Sequence, residues 1–286
     1  MEEHSFVKFV TGIDLVYLSN PKVASSSISY MLMMQSYLSQ SDIGEHSELG
    51  KAITNRRPIT KPYPKLPIFT FVREPIDRFV SYYNNKFVNA PTNGFELKHL
   101  DRLGFSPTMS IDEVVNHMLD IPVYKMEHHA QPQFRIVCKD NNPIADFVGK
   151  VEKIAHEWPV LAKLSGQNLQ LGLFRNKTSN KSFNTEDISP STLLNLYKYY
   201  EGDYLLFDYP LPNGIPEDYD QTAITHTPEK EVLQKIKIEL DNRKEHLRRT
   251  AERLNNADSL RDYKKKMTER WRQFSVEEYR TCISSN

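Results

Sequence analysis

The chain has 286 residues, of which 39% are hydrophobic and 26% are charged, and this balance fits one large globular α/β domain. Its 37 basic and 37 acidic residues cancel, so overall charge favours neither nucleic acid nor a membrane surface as the main partner. The two cysteines, Cys138 and Cys282, make no disulfide framework and fit free thiols. No C-x-x-C or H-E-x-x-H motif indicates a metal site.

The N-terminal residues Met1 to His4 are acidic, and no long apolar run follows them, which is unlike a secretory signal. No stretch of the sequence reaches the roughly 20 apolar residues of a membrane span. These features predict a cytoplasmic protein without a membrane span.

The first predicted unit is a strand, a loop and a helix. Residues 13–18 (IDLVYL) form a short apolar run that ends at Pro21, as a buried strand entering a loop does. Apolar residues then recur at helical spacing between Ile28 and Leu38, and Ser25–Ser27 are candidates for the N-cap.

A second strand and helix follow. Ile68–Val72 (IFTFV) is rich in β-branched and aromatic residues, Pro75 suits the first turn of a helix, and Ile76–Phe87 has the apolar spacing of an amphipathic helix. Further strands are predicted at residues 146–151 and 169–174, and further helices at 111–119, 153–164 and 193–200. This alternation predicts a mostly parallel sheet.

The chain changes character at Pro210. Residues 210–228 begin as a turn-rich linker, and after them neither glycine nor proline occurs. The predicted domains are therefore 1–209, the linker 210–228, and a helical C-terminal extension at 229–286. Leucine recurs every seven residues from Leu233 to Leu254, which fits either a helical appendage packed on its own domain or the coiled-coil arm of a homodimer.

The segment 20–28 (NPKVASSSI) lies between a predicted strand and a predicted helix. This position turns backbone N–H groups and the positive end of the helix toward an anion. Lys22 adds a charge, and the small residues Ala24–Ser27 allow close approach to the backbone. The segment lacks the glycines and the terminal lysine of the nucleotide-triphosphatase loop. Taken alone, it fits an anion site and an ordinary polar helix cap equally well.

A second candidate site lies in the segment 71–83 (FVREPIDRFVSYY). Arg73 leaves a predicted strand, and Ser81 lies two turns into the next helix. Ligands bind at the carboxyl ends of parallel strands, where an arginine can form forked bonds with a phosphate. The alternative is a salt-bridged Arg73 and a merely exposed Ser81.

Together, the two motifs resemble the sulfotransferase family, and most closely the carbohydrate sulfotransferases of the chondroitin, dermatan and HNK-1 type. The resemblance continues through His129-Ala-Gln-Pro132, Asp146–Glu152 and Leu196–Tyr209, so it covers about residues 15–209. The chain departs from the family where Ser25 and Ser26 replace cysteine and threonine, and where alanine replaces tryptophan after His129.

This resemblance implies a P-loop-like three-layer sandwich with a central, mostly parallel sheet. The predicted helical C-terminal appendage after Pro210 has no recognised counterpart in the family. It also implies transfer of a sulfuryl group from 3′-phosphoadenosine-5′-phosphosulfate to an acceptor, with 3′,5′-adenosine bisphosphate as product and no metal. The acceptor is expected to be a glycan or a small hydroxylated molecule.

The resemblance assigns the donor's two phosphate groups to different residues. Arg73 and Ser81 match the residues that bind the 3′-phosphate. Lys177 and Lys181 are either further contacts of that phosphate or part of a solvated surface loop. The residues that match the 5′-phosphosulfate loop are Lys22, Val23, Ala24, Ser25, Ser26 and Ser27. Lys22 and the hydroxyl of Ser26 or Ser27 are suited to stabilise charge on the departing bridging oxygen.

A general base must accept the proton of the acceptor, and histidine suits that role near neutral pH. His46 is the first candidate, because in relatives with a heparan-type site a histidine in this interval lies beside the transferred group. His129, which matches a family histidine, is the second, and a carboxylate such as Glu45 is the third. His128 is expected to point elsewhere in an extended segment.

Two other classes of protein stay open at this point. One is a nucleoside-triphosphate-dependent kinase on a related fold, which the missing glycine-lysine signature disfavours. The other is a non-catalytic nucleotide-binding scaffold that keeps the fold. The fold by itself does not decide the acceptor.

Overall fold

The centre of the molecule is a five-stranded sheet. The computed structural model describes residues 6–9, 14–34, 55–58, 66–89, 98, 100–166, 169, 171, 183–216 and 228–272. The strands in these residues are β1 (Phe6–Phe9), β2 (Val16–Leu18), β3 (Asn55–Pro58), β4 (Ile68–Val72), β5 (Cys138–Lys139), β6 (Asn142–Pro143) and β7 (Phe147–Lys150). The central sheet has the order β3-β1-β2-β4-β7, and β5 and β6 form a separate hairpin.

The sheet joins a parallel part to an antiparallel edge. Strands β2, β4 and β7 are parallel, whereas β1 is antiparallel to both β2 and β3. The sequence predicted the parallel part from strand–helix alternation. It missed β1 and β3, because FVKF and NRRP are only four residues long and NRRP has no apolar run.

The helices in the described residues are α1 (Ser25–Met34), α2 (Pro75–Tyr83), α3 (Ile111–Leu119), α4 (Phe134–Val137), α5 (Ile154–Leu164), α6 (Pro190–Phe207), α7 (Lys230–Arg253) and α8 (Ala257–Arg272). A π-helical turn, Asn84–Val88, continues α2. The predicted strand at 68–72 and helix at 111–119 are confirmed to the residue. The predicted strand at 169–174 falls mostly outside the described residues.

Helices cover both faces of the sheet. On one face, Phe69 and Phe71 of β4 pack with residues of α1 and α5, including Trp158. On the other face, Ile68 and Val72 pack with residues of α4 and α6. Because side chains alternate along a strand, a strand buried on both faces is apolar at nearly every position, as IFTFV is.

The two C-terminal helices pack on the same domain. Leu233 and Leu240 are 2% and 6% exposed within the core of one sheet face, and Leu247 and Leu254 belong to the core of the other. The heptad leucines are thus buried within their own chain, which favours the intramolecular interpretation over a coiled-coil arm. Among the described helices, none has the length and apolar character needed to cross a bilayer.

Candidate functional site

The loop between β2 and α1 has a strained backbone. Lys22 and Ala24 adopt φ values of +63° and +61°. This left-handed conformation costs an L-residue about 1–2 kcal/mol, and such strain is concentrated at functional sites. Alternation of right- and left-handed residues gathers backbone N–H groups into an anion-binding concavity. The loop conformation therefore favours an anion cradle over a simple helix cap.

Helix α1 completes this cradle. It begins at Ser25, and the N–H groups of its first turn point along the helix axis toward the loop. Ser26 is exposed, whereas Ser27 is 1% exposed and Val23 is fully buried. Of the two candidate hydroxyl donors, Ser26 is therefore the accessible one, and Val23 can contribute only its backbone.

Helix α2 carries the second group of predicted site residues along one side. Arg73 precedes the helix, and its Nη2 lies 3.8 Å from Asp77 Oδ2. Ser81 is one turn further on, and Lys22 Nζ donates to Asn85 Oδ1 one turn beyond that, at 2.5 Å. Arg73 therefore lies just before α2, Lys22 contacts the turn that continues α2, and Ser81 lies on the helix between these two points.

The ion pair considered for Arg73 is present, but it leaves the guanidinium accessible. The Arg73 side chain is 24% exposed and its partner Asp77 is 46% exposed. An exposed ion pair is worth about 0–1 kcal/mol, so an incoming phosphate can compete for this arginine.

A buried polar network, which the sequence did not reveal, holds these pieces together. Asn20 Nδ2 donates to Phe71 O and to Gln133 Oε1, each at 3.0 Å. Gln133 Oε1 also accepts from the backbone N–H of Arg73 at 3.0 Å, and Gln133 Nε2 donates to Arg73 O at 2.7 Å. Gln133 thus fixes the backbone of Arg73 relative to Asn20, at the start of the loop between β2 and α1.

Asp203 of α6 extends this network through hydrogen bonds to the backbone at the start of α4. Its carboxylate accepts from the backbone N–H groups of Gln133 and Phe134, each at 2.7 Å. Burial raises the pKa of Asp203 to about 6, against the lowering effect of those two hydrogen bonds and of the Arg78 charge. Asp203 therefore caps α4 and holds Gln133 in place.

Arg78 is a second connector that the sequence did not single out. It is completely buried, and its guanidinium donates to Pro21 O at 3.0 Å, to Gln131 O at 2.8 Å and to His128 O at 3.4 Å. Burial lowers its pKa, while Asp203 and other nearby acidic groups favour the charged form. Arg78 therefore connects the loop between β2 and α1 to the turn that contains the candidate histidines.

In that turn, two histidines contact the same buried carboxylate. His129 Nδ1 forms a very short hydrogen bond with Glu127 Oε1, and the His129 N–H donates to Oε2 at 3.1 Å. His128 Nδ1 lies 3.1 Å from the same Oε1, and the two rings are 4.1 Å apart. The expectation that His128 points away is wrong, because residues 128–130 form a turn and are not extended.

The pKa shifts follow from this arrangement. Burial raises the pKa of Glu127, but the hydrogen bonds from His128 and His129 outweigh it and hold the pKa well below its ordinary value. Burial lowers the pKa of His129 to about 4, Glu127 opposes this, and the charges of His128 and Lys22 add to the lowering. His129 is therefore neutral near pH 7 and lies within the electrostatic reach of Lys22.

The Glu127 contact also selects one form of the neutral ring. With the carboxylate at Nδ1, the proton of neutral His129 resides on Nδ1, and Nε2 carries the lone pair that can accept a proton. Nothing in the sequence indicates this partnership beyond the adjacency of Glu127 to the histidines. The other predicted residues, His46, Lys177 and Lys181, lie outside the described residues.

A strained loop with its lysine, an arginine at the end of the neighbouring strand and a carboxylate-oriented histidine fit an enzyme that transfers an anionic group from a phosphorylated donor. A sequence profile of the sulfotransferase family matches residues 11–210, and the chain belongs to that family. It is therefore a sulfotransferase, and family membership implies 3′-phosphoadenosine-5′-phosphosulfate as the donor.

Curated relatives carry related names. Carbohydrate sulfotransferase 11 of Rattus norvegicus is 26% identical over 243 residues, which cover 72% of this chain and 67% of the relative. Carbohydrate sulfotransferase 14 of Homo sapiens is 27% identical over 169 residues, which cover 54% of this chain and 45% of the relative. No solved structure matches the chain.

Proposed function

We propose that this enzyme transfers the sulfuryl group of 3′-phosphoadenosine-5′-phosphosulfate to a hydroxyl of a carbohydrate or glycosylated metabolite in the cytoplasm. The observation that carries the proposal is the strained loop at Lys22 and Ala24, which precedes the N-terminus of α1 and whose Lys22 contacts Asn85 in the turn that continues α2. The names of the relatives support a carbohydrate as the acceptor.

In this proposal the donor lies along the loop and α2, as in P-loop-like three-layer folds. The N–H groups of residues 22–27 bind the 5′-phosphosulfate, and Arg73 and Ser81 bind the 3′-phosphate. Lys181 is a further contact for the 3′-phosphate. Two contacts just after it support this, since Phe183 O accepts from Asn84 at 2.8 Å and Thr185 donates to Asp77 at 3.0 Å.

The chemical step is an in-line displacement at sulfur. The acceptor oxygen bonds to sulfur as the bond from sulfur to the 5′-phosphate oxygen breaks, and negative charge grows on that bridging oxygen. Lys22 and the Ser26 hydroxyl stabilise this charge, because preorganised donors act most strongly where charge develops. Arg73 and Ser81 fix the register of the donor, which is orientation and not bond-making.

The acceptor proton passes to His129 Nε2 in this scheme. His129 is the candidate that the described residues support, because Glu127 holds its ring and because Lys22 lies near enough to act on its charge. Glu127 is a positioning residue, because it fixes the ring and the position of its proton without touching the reacting atoms.

Calorimetry with two nucleotides tests the donor site. Wild-type enzyme should bind 3′,5′-adenosine bisphosphate more tightly than 5′-adenosine monophosphate, because only the former carries a 3′-phosphate. Arg73→Ala should remove most of that preference, whereas Arg249→Ala, an exposed arginine on α7, should keep it. Equal binding of the two nucleotides by wild type would refute the site.

The acceptor is tested by transfer of labelled sulfuryl groups from the donor to matched panels of glycans, glycosylated metabolites and simple alcohols. Labelled products should form with the sugar panels and exceed those from the alcohols. Tight binding of the bisphosphate without transfer to any member would indicate a nucleotide-binding scaffold.

A further inference from the structure

Glu127, His128 and His129 form a compact group of potential metal ligands. One carboxylate oxygen of Glu127 and one ring nitrogen of each histidine all lie within 4.8 Å of one another. Imidazole and carboxylate are ligands that bind Zn²⁺, Co²⁺ and Ni²⁺, and three of them leave one position of a tetrahedral ion for water. The two Nδ1 atoms already converge on one oxygen, Glu127 Oε1.

The exposure of these side chains gives an ion a path of entry. The Glu127 side chain is 6% exposed, that of His129 is 27% exposed, and that of His128 is 54% exposed. An ion can therefore meet His128 first and then reach the buried carboxylate. A single carboxylate is a poor site for Mg²⁺ or Ca²⁺, which prefer several oxygen ligands.

The surrounding charges limit the affinity. The Glu127 carboxylate attracts a cation, but Arg78 and Lys22 both influence this group of residues electrostatically and oppose a divalent ion. These opposing charges suit a site that releases its ion readily, unlike a permanent structural metal.

We propose that Glu127, His128 and His129 form a reversible inhibitory site for a transition-metal ion such as Zn²⁺. Binding at His129 Nδ1 uses the lone pair of that nitrogen, so the single proton of the neutral ring resides on Nε2. Nε2 then has no lone pair with which to accept the acceptor's proton. This inhibition rests on the proposed role of His129, whereas metal binding itself does not.

Cobalt absorbance tests metal binding without any substrate. Wild-type protein titrated with Co²⁺ should develop the visible bands of a tetrahedral site at one ion per chain, and Zn²⁺ should abolish them. His128→Gln keeps a polar side chain beside Glu127 but removes one ligand, so its affinity for Co²⁺ should fall by at least about tenfold. His246→Gln, an exposed histidine on α7, should bind as wild type does.

Zinc titration of sulfuryl transfer tests the consequence. Each variant is scaled to its own zinc-free rate, and His128→Gln should need at least about ten times more Zn²⁺ than wild type for half inhibition. Mg²⁺ should have no comparable effect. Cobalt binding that is absent, or unchanged in His128→Gln, overturns the site. Cobalt binding at this site without zinc inhibition overturns the inhibitory role and leaves the donor site untouched.

Discussion

At the scale of single residues, Lys22 connects the features that define the site. Its backbone lies in the left-handed region, its Nζ donates to Asn85, and its charge lowers the pKa of His129. In the proposed reaction, Lys22 stabilises the negative charge on the departing oxygen. That charge is larger in the transition state than in the bound donor. Its main contribution should therefore appear in the transition state.

Replacement of Lys22 by alanine should lower kcat by about 10²–10³-fold, which is the usual effect of removing one donor to a developing oxyanion. The dissociation constant for 3′,5′-adenosine bisphosphate should rise less than kcat falls. Steady-state kinetics and calorimetry on the same preparations give the two numbers. Equal losses in both would mean that Lys22 only anchors the donor.

The pH dependence should identify the base. Since the pKa of His129 is lowered to about 4, the ring stays neutral as pH falls through 6.5 and becomes protonated near pH 4. The acid limb of kcat/KM, which reports the free enzyme, should therefore lie near pH 4. Circular dichroism across the same range separates titration from unfolding. A limb near 6.5 would point to another histidine, such as His46.

Glu127→Gln sharpens this test. The Glu127 carboxylate raises the pKa of His129, so its removal should move the acid limb to still lower pH and lower kcat, because the ring becomes a weaker base. His156→Gln, an exposed histidine on α5, should leave the profile unchanged. A purely structural Glu127 would lower the amount of folded enzyme without moving the limb.

At the scale of elements, α2 shows why part of the site could be predicted. Its buried residues surround most of the helix, so Asp77 and Ser81 are the polar positions left facing outward. Local patterns suffice for such elements, and α3 is defined by a capping box of Ser110 and Glu113.

The network behind the site has no local signal. Asn20 and Gln133 are 113 residues apart, and Gln133 and Asp203 are 70 apart, so each one alone resembles an ordinary surface residue. Only the tertiary fold buries them together. The orientation of His128 was predicted wrongly because the local sequence does not reveal the turn at 128–130, which lacks the glycine that often marks a turn.

The loop between β2 and α1 stores strain that glycine should relieve. Ala24 has a φ of +61°, which costs an L-residue about 1–2 kcal/mol, whereas glycine adopts it freely at an entropic cost of about 0.4–1 kcal/mol. Ala24→Gly should therefore raise the free energy of unfolding by roughly 0.5 kcal/mol. Ala162→Gly, inside α5, should lower it by about 0.5–1 kcal/mol.

Urea denaturation followed by circular dichroism compares the two alanine variants. Opposite shifts of the unfolding midpoint are expected, since the chemical change is the same and only the backbone conformation differs. Destabilisation of similar size in both would show that Ala24 is not strained.

At the scale of the whole molecule, α7 joins both faces of the sheet. Leu233 and Leu240 pack on one face and Leu247 and Ala251 on the other, so the helix passes β7, which is an edge strand of the sheet that the described residues form. Covering an edge strand in this way removes a template for pairing with another chain. Helix α7 therefore contributes to the core of the domain.

An ion-pair cluster reinforces this docking. Glu157 of α5 is 7% exposed and accepts from Lys244 at 2.8 Å and from Arg248 at 3.0 Å. Because a buried carboxylate without its partners is costly, these contacts help to fix the position of α7 on α5.

Leu240→Ala decides between the two roles of the heptad leucines. In the core, it should lower the free energy of unfolding by about 2–5 kcal/mol, because a buried leucine leaves a cavity. The matched variant Ile238→Ala removes a side chain that is 51% exposed on the same helix, and it should change stability by less than about 0.5 kcal/mol. Light scattering should show the same oligomeric state for both variants as for wild type, because Leu240 contacts its own domain. A dimer that dissociates in Leu240→Ala while the protomer keeps its stability would instead place the leucine row at an interface between chains.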